Sequence, residues 1–190
     1  MTELSRDAID GGFVDAPRDS AYAFRAVMEA MACPGRIVNL AGVVAPAPVS
    51  RAAAAVLLTL CDPDTPLWLA PSHDSTALRA WLAFHTGAPV ATPETCRFAL
   101  GTWAALLPVD RFAAGTPEYP DRSATLIVER PTLVNEGPAL TGPGIRDMAR
   151  LDLPETDAFR RNAARFPLGF DCIFTSGNGL AALPRSTRIA

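Results

Sequence analysis

The amino-acid sequence predicts an α/β fold in which helices flank one mixed sheet, and three observations indicate this class. Segments with apolar residues at helical spacing alternate with short apolar runs that are typical of buried strands. The 190 residues are 49% hydrophobic and 19% charged, which is enough for one core of ordinary size. The 13 glycines and 18 prolines separate short elements and form no linker. We therefore expect a single domain over residues 1–190, with a flexible N-terminal segment at residues 1–10.

The first predicted helix begins at Asp19 or Ser20, because either side chain can cap the free amides of a helix start. It ends at Cys33-Pro34-Gly35, where proline cannot extend the helix and glycine accepts the turn. A short strand follows at residues 37–40. One face of the helix is predicted to be apolar, with Phe24, Val27, Met28 and Met31 at helical spacing.

Two further helices enclose the next strand. The second helix covers residues 50–61 and has almost no polar face, so it should be packed on most sides. A turn rich in aspartate and proline leads into a buried strand at residues 67–69. Asp74 or Ser75 caps the third helix, which Gly87 ends. Its apolar stripe comprises Leu78, Trp81, Leu82 and His85.

Short strands dominate the second half of the chain. Residues 139–145 are expected to form a loop or an irregular strand, since few other conformations accommodate two glycines around a proline. Thr156 caps a last helix, which Pro167 closes. A hairpin is predicted around Ser176-Gly177-Asn178-Gly179, whose residues favour positive backbone angles. The expected strands lie at residues 97–101, 104–107, 124–129, 172–175 and 180–183.

All 17 basic residues are arginine, so the chain contains no lysine. A lysine Schiff base, and with it pyridoxal-phosphate catalysis, is excluded, as is a phosphate loop that carries a lysine. The net charge of −3 argues against a nucleic-acid partner. The longest apolar stretch, residues 52–61, has about half of the roughly 20 residues that a membrane span needs. Together with the polar N-terminus, this predicts a cytoplasmic protein without membrane contact.

The cysteines and histidines predict neither a metal nor a redox cofactor. Metal sites need ligands at short intervals, whereas the four cysteines are scattered and His73 and His85 lie far apart. We expect buried, unreactive thiols. His85 is interpreted as a core or helix-end residue, and His73 as a loop residue without a partner. No catalytic residue is predicted, since the carboxylates beside the second strand suit turns and helix caps: Asp62, Asp64 and Asp74.

Five residues are candidates for binding an anionic ligand. Arg185 and Arg188 carry guanidinium groups that match phosphate or phosphonate oxygens. The favoured alternative is that these arginines bridge to carboxylates of the fold or of a partner subunit. Gly142 and Gly144 could present backbone amides to an anion, although a tight bend is the favoured interpretation. Arg146 follows directly and is a candidate partner for the same anion.

Four blocks of the sequence together resemble the PhnH family, which supplies a subunit of the bacterial carbon–phosphorus lyase machinery. The first block includes the run Met-Glu-Ala-Met-Ala-Cys-Pro-Gly-Arg at residues 28–36. The second contains Leu-Thr-Leu and Thr-Pro-Leu-Trp-Leu, the third Leu-Thr-Gly-Pro-Gly-Ile, and the fourth Gly-Phe-Asp and the tail Leu-Pro-Arg-Ser-Thr-Arg-Ile. The blocks occur in order between residues 11 and 189, so the resemblance covers nearly the whole chain.

The resemblance implies a fold similar to the large domain of pyridoxal-phosphate-dependent transferases, without that cofactor. It also implies membership of a multi-subunit core complex that replaces the adenine of ATP by an alkylphosphonate, giving a ribose 1-phosphonate 5-triphosphate. A partner subunit, a radical S-adenosylmethionine iron–sulfur enzyme, then breaks the carbon–phosphorus bond. The present chain cannot be that partner, because its isolated cysteines cannot hold a cluster. Members of the family are expected to form homodimers when alone.

The resulting hypothesis is a non-catalytic subunit that the activity of the complex requires. One alternative is a module that binds a phosphonate or nucleotide and delivers it to its partners. The other is a standalone enzyme that uses a carboxylate or a histidine, which would need an acid and a base to converge in one pocket.

Overall fold

The computed structural model describes residues 10–40 and 43–190, so the prediction for residues 1–10 lies almost entirely outside the described residues. The helices are α1 (Ala16–Ala32), α2 (Arg51–Leu60), α3 (Thr76–His85), α4 (Trp103–Leu106) and α5 (Asp157–Ala164). The strands are β1 (Val38–Asn39), β2 (Leu67–Leu69), β3 (Phe98–Thr102), β4 (Thr125–Glu129), β5 (Ala139–Thr141), β6 (Ala149–Arg150), β7 (Asp171–Ser176), β8 (Gly179–Leu183) and β9 (Arg188–Ile189).

A six-stranded mixed sheet has the order β1-β8-β7-β4-β3-β2. Strands β2, β3, β4 and β7 run parallel, and β8 pairs antiparallel with both β7 and β1. A second, antiparallel sheet has the order β6-β5-β9. The predicted α/β class, with a mixed sheet flanked by helices, is confirmed.

Both faces of the large sheet are covered, which explains why its central strands are continuously apolar. On one face, α1, α2 and α3 pack against side chains such as Ile127 of β4. On the other face, α4, α5 and the small sheet pack against the alternate side chains, Leu126 and Val128 among them. Two hydrophobic clusters therefore form, one on each side of the sheet.

Helix α1 begins one turn earlier than the sequence predicts. Its N-cap is Asp15, whose side chain accepts a hydrogen bond from the backbone N–H of Arg18 at 3.4 Å, and neither Asp19 nor Ser20 caps it. Pro17 lies in the first turn, where its fixed φ and missing N–H cost nothing. The proline within the first turn is why the sequence placed the start of the helix after it.

The predicted apolar face of α1 is only partly buried. The helix packs through Ala23, Val27 and Ala30, while Phe24 and Met28 are 50% and 52% exposed. The small alanine side chains let α1 approach its neighbours closely, so the helix packs through its alanine side. The larger apolar side chains lie next to this contact and stay half-exposed. The prediction was therefore wrong for Phe24 and Met28.

Residues 104–107 were expected to form a strand, and this prediction is wrong. Residues Trp103–Leu106 form the short helix α4, with Trp103 and Leu106 buried at a spacing of three. A short run of alanine and leucine fits either a buried strand or a helix, so periodicity cannot decide between them. The hairpin of β7 and β8 is confirmed, with Ser176 opposite Gly179. Among the described residues, no helix has the length and apolar character needed to cross a membrane.

Candidate functional site

A cavity of about 430 Å³ lies where the end of α1 meets the loop between β5 and β6. Among the described residues, its lining contains three arginines and no carboxylate, and we call it the arginine cavity. Two of the predicted ligand residues, Gly144 and Arg146, belong to it. The full lining is Cys33, Pro34, Gly35, Arg36, Asn135, Gly144, Ile145, Arg146, Met148, Ala149 and Arg150.

Two glycines bring the walls of the arginine cavity together. Gly144 has a φ of +79°, and a Cβ built on it would lie 1.9 Å from the carbonyl oxygen of Ala32 at the end of α1. Gly35 has a φ of +86°, and its Cβ would lie 2.8 Å from that of Ala149. Only glycine permits such close approach at these backbone angles. Gly144 therefore acts as the tight bend that the sequence favoured.

Asn135 connects the two walls by hydrogen bonds. Its side-chain amide donates to the backbone carbonyl oxygen of Gly35 and, at 2.9 Å, to that of Arg150. Both lining segments are therefore held by one side chain from a third loop. These two hydrogen bonds fix the relative position of the backbone segments that carry Arg36 and Arg150.

The three arginines of the cavity differ in the hydrogen bonds that their side chains make. Arg36 donates to the carboxylate of Glu29 at 2.5 Å, and this hydrogen bond raises the pKa of Arg36 above its ordinary value. Arg150 donates to the carbonyl oxygen of Gly137 at 2.6 Å. No hydrogen bond or ion pair joins the Arg146 side chain to any other residue within the ranges 10–40 and 43–190. Arg146 is consequently the guanidinium with all its donors available.

Arg146 and Arg150 form no ion pair with a carboxylate of the described residues, whereas Arg36 is paired with Glu29. Guanidinium groups stay charged at any physiological pH, and each presents paired N–H donors that match the oxygens of phosphate, phosphonate or carboxylate. The partly buried thiol of Cys33 and the amide of Asn135 add further polar groups. The arrangement is suited to holding an anion, and its described lining contains no carboxylate or histidine that could serve as a general base.

Arg185 lies elsewhere, and its donors are used within the fold. The side chain is 12% exposed and forms an ion pair with Asp171. Its Nε donates to the Asp171 carboxylate at 3.1 Å, and Nη1 donates to the carbonyl oxygen of Pro120 at 2.8 Å. Nη2 donates to the same carboxylate and to the hydroxyl of Ser123. This is the carboxylate bridge that the sequence favoured for Arg185 over a ligand contact.

Arg188 and Gly142 occupy a third region. Arg188 in β9 pairs with Thr141 of β5, and its exposed side chain lines a cavity of about 240 Å³ beside Arg160. A Cβ on Gly142 would lie 3.1 Å from the carbonyl oxygen of Ser186, so this glycine allows the loop and the tail to pass closely. The five predicted ligand residues thus fall into three environments, and only Gly144 and Arg146 share one cavity.

The other titratable residues are engaged in local structure. Asp62 closes a turn by accepting from the backbone N–H of Asp64 at 2.9 Å. Asp74 accepts from Arg79, and this hydrogen bond lowers the pKa of the Asp74 carboxyl. Ser75 caps α3. His85 ends that helix with its ring 4.8 Å from that of Trp81, as expected for a helix-end histidine.

The prediction for His73 was wrong, because the structure provides a partner. Its Nδ1 lies 2.9 Å from the hydroxyl oxygen of Ser72, and the residue is 3% exposed. Burial lowers the pKa of the imidazole, so the neutral form is favoured. The Ser72 hydroxyl also accepts from the backbone N–H of Thr102 at 3.2 Å, which ties the end of β2 to the end of β3.

Glu129 was missed by the sequence reasoning. It ends β4, where its carboxylate accepts from the backbone N–H of Ser50 at 2.6 Å and from the hydroxyl of Thr175 at 3.1 Å. Burial raises the pKa of this carboxyl. Since Ser50 is the N-cap of α2, the carboxylate helps to anchor the start of that helix. The one signal in the sequence for Glu129 is its position at the end of an apolar strand.

Three of the four cysteines are buried, as expected. Burial raises the pKa of Cys61 to about 12 and that of Cys96 to about 11, and it raises the pKa of Cys172 strongly. Cys33 is the exception, since it is only partly buried and lines the arginine cavity. In the part of the chain that the structure describes, no group of three or more His, Cys, Asp and Glu residues could hold a metal ion.

Comparison with known proteins gives consistent matches over nearly the whole chain. Residues 11–190 match the family described as "Bacterial phosphonate metabolism protein (PhnH)". The chain is 42% identical over 188 residues to the alpha-D-ribose 1-methylphosphonate 5-triphosphate synthase subunit PhnH of Rhizobium meliloti, with 94% of each protein covered. It is 35% identical over 188 residues to HtxG of Stutzerimonas stutzeri, which is named as a candidate C-P lyase subunit protein, with 92% of this chain and 87% of that protein covered.

Proposed function

Because the chain belongs to the PhnH family of bacterial phosphonate metabolism proteins, we propose that it is a subunit of the carbon–phosphorus lyase core complex in alkylphosphonate catabolism. In this role it supports formation of a ribose 1-phosphonate 5-triphosphate from ATP and a phosphonate. A partner subunit then cleaves the carbon–phosphorus bond. The match over nearly the whole chain carries this proposal, because both relatives match it over 188 residues and are named as subunits of such assemblies.

The proposed role is non-catalytic but required for the activity of the complex. The arginine cavity can hold an anion, and its described lining contains no carboxylate or histidine for acid–base chemistry. We assign the catalytic groups to partner subunits, including a radical S-adenosylmethionine subunit. Since ATP is a reactant of the pathway, we place the protein in the cytoplasm.

The fold of the whole chain is the second part of the proposal. We propose that the whole chain is one PhnH domain and resembles the large domain of pyridoxal-phosphate-dependent transferases. The parallel strands β2, β3, β4 and β7 and the helices on both faces fit that comparison. The chain has no lysine with which to bind the cofactor, so we propose a member of this fold that works without it.

A surface for subunit contact is available on α1. Phe24 and Met28 lie four residues apart on this helix, and about half of each side chain is exposed. We call this pair the α1 apolar face. Large exposed apolar side chains on a helix are typical of protein interfaces. We propose that another subunit of the core complex covers this face in the assembly, and that the isolated chain forms a homodimer.

Co-expression with the other core subunits tests the proposal. The chain is expected to co-elute with them in size-exclusion chromatography, and the complex is expected to convert ATP and methylphosphonate only when the chain is present. Full conversion without the chain would contradict the proposed role. Light scattering of the isolated chain is expected to give twice the monomer mass.

The arginine cavity favours a second function within the same system, namely binding of a phosphonate or nucleotide for delivery to the partners. Cys33 lines the cavity and is partly buried, whereas the other three thiols are buried, so its alkylation reports on occupancy of the cavity. Methylphosphonate or ATP is expected to slow alkylation of Cys33, and Arg146→Gln is expected to abolish this protection. Arg188→Gln is the matched control, because Arg188 is also exposed but lines another cavity. Equal alkylation rates with and without either anion would exclude the binding function.

A further inference from the structure

A third cavity lies beside α5, on the face of the large sheet that is remote from α1. It has a volume of about 330 Å³. Neither the predicted ligand residues nor the proposed function involves it. Its walls come from α5, the turn that precedes β7 and the segment after α4, and we call it the α5 cavity. The lining is Val109, Asp110, Ala158, Arg161, Asn162, Ala164, Arg165 and Phe170.

Two guanidinium groups stand on one side of the α5 cavity. Arg161 and Arg165 are four residues apart, a spacing that places both side chains on the same face of a helix. No carboxylate of the described residues forms an ion pair with Arg161. Arg165 lies 3.7 Å from Asp110, which is an ion pair beyond hydrogen-bond distance between exposed groups. Most donors of both arginines are therefore available to a ligand.

The interior of the α5 cavity is apolar and firmly built. Val109, Ala158 and Phe170 are buried and belong to the core cluster behind it. Asn162 donates to the carbonyl oxygen of Phe170 at 2.8 Å and accepts from the backbone N–H of that residue at 2.9 Å. Both the nitrogen and the oxygen of the Asn162 side-chain amide are therefore hydrogen-bonded within the chain. The floor thus presents a narrow apolar surface to a ligand, since each of these side chains is less than 9% exposed, and it is held in place by the fold.

Stabilisation of the carbonyl end of α5 does not by itself explain why two arginines stand beside an apolar cavity. Cationic residues near the last turn of a helix stabilise its carbonyl end, which explains the sign of the charge on Arg161 and Arg165. Two like charges at a spacing of four also repel each other, and the Asp110 carboxylate forms an ion pair with Arg165 alone, at 3.7 Å. An anion between the two guanidinium groups would remove this repulsion, and the adjoining apolar cavity would take the rest of the ligand.

We propose that the α5 cavity binds a small organic anion with an aromatic body. Its phosphonate, phosphate or carboxylate group contacts Arg161 and Arg165, whose paired donors match such oxygens. Its ring lies among Val109, Ala158 and Phe170, and contacts the edge or face of the Phe170 side chain. The volume is near the lower limit of small-molecule sites, so the ligand is compact. This site is independent of the arginine cavity and of the proposed function.

Calorimetry with three probes tests the site: phenylphosphonate, methylphosphonate and inorganic phosphate. The full chain carrying Arg146→Gln is the parent protein, so that the arginine cavity does not contribute. Phenylphosphonate is expected to bind with one site per chain and roughly tenfold or more tighter than methylphosphonate, because only its ring buries apolar surface. Either Arg161→Gln or Arg165→Gln is expected to weaken phenylphosphonate binding by about tenfold through loss of a charge-assisted contact.

The matched control is Arg122→Gln, since Arg122 is an exposed arginine that stacks on Tyr119 away from the cavity. It removes the same charge and is expected to leave the affinity unchanged. Circular dichroism confirms that each variant is folded. Equal affinities for the three probes, an equal loss in Arg122→Gln, or no heat with millimolar phenylphosphonate would each overturn the proposal.

Discussion

Arg185 shows how a single residue that is suited to bind an anion can serve the fold instead. Its guanidinium group joins the start of β7, through Asp171, to the backbone of Pro120 and the hydroxyl of Ser123. These contacts link segments that are far apart in the sequence. Removal of the side chain would leave a largely buried carboxylate without its partner, which costs more than the pair itself contributes.

We expect Arg185→Ala to lower the free energy of unfolding by about 2–4 kcal/mol. Urea denaturation followed by tryptophan fluorescence measures the change. Arg188→Ala is the control, because Arg188 is exposed and makes no ion pair with the described residues, so its effect should stay within about 0.5 kcal/mol. If both variants were equally stable, the proposed anchoring role of Arg185 would be wrong.

Glu129 makes stability depend on pH in an unusual direction. Its pKa in the folded chain is raised above the ordinary 4.5, chiefly by burial, so the folded state binds this proton more readily than the unfolded state. The resulting stabilisation is fully present below about pH 4.5 and is lost as the pH rises through the folded pKa. Glu129→Gln keeps the shape of the side chain but does not titrate.

We therefore compare the unfolding free energies of the parent and Glu129→Gln between about pH 4 and pH 8. As the pH rises above about 4.5, the difference should shift steadily in favour of the variant. The glutamine oxygen can still accept from the N–H of Ser50, and its amide can donate to Thr175, so the variant should fold normally. A constant difference over this range, or a shift in favour of the parent, would contradict the raised pKa.

At the scale of secondary-structure elements, Gly144 determines how the β5–β6 loop meets α1. An added Cβ would lie 1.9 Å from the carbonyl oxygen of Ala32, and the φ of +79° already disfavours any side chain. We expect Gly144→Ala to destabilise the chain by about 2 kcal/mol or more and to separate the two walls of the arginine cavity. The rate of Cys33 alkylation should rise accordingly.

Gly177→Ala is the matched control for this substitution. Gly177 also has a positive φ, of +54°, but no atom lies within 4 Å of the position that a Cβ would take there. Only the conformational cost of about 1 kcal/mol should remain, and the alkylation rate of Cys33 should not change. Similar losses of stability in both alanine variants would show that the approach to Ala32 is unimportant.

Sequence patterns predict the elements of this fold better than their contacts. The capped helix α3 and the β7–β8 hairpin follow from local side-chain chemistry, so both were predictable. Which side of α1 is buried depends on the element that it packs against. The periodicity of its apolar residues does not reveal that the helix packs through alanines. The arginine cavity shows the same limit, because Arg36, Asn135 and Arg150 come from three separate segments. Only Arg146 follows a recognisable glycine-rich turn.

At the scale of the whole molecule, the large sheet divides the surface into two sides with different properties. The side formed by α1, α2 and α3 carries the α1 apolar face, and the opposite side carries the cluster of arginines on α5. A subunit that assembles with others needs an apolar surface that its own core does not use. The α1 apolar face meets that requirement, since Phe24 and Met28 contribute little to the buried contact of their own helix.

We expect the double substitution Phe24→Glu and Met28→Glu to prevent assembly without unfolding the chain. Buried charges at an interface cost several kcal/mol, so association with the core subunits should weaken by roughly a hundredfold or more. Because both side chains are half-exposed in the isolated chain, its thermal stability should change little. Tyr119→Glu is the control, since Tyr119 is 51% exposed and lies outside α1. Co-purification with the core subunits measures the effect, and unchanged recovery of the double variant would place the contact on another surface.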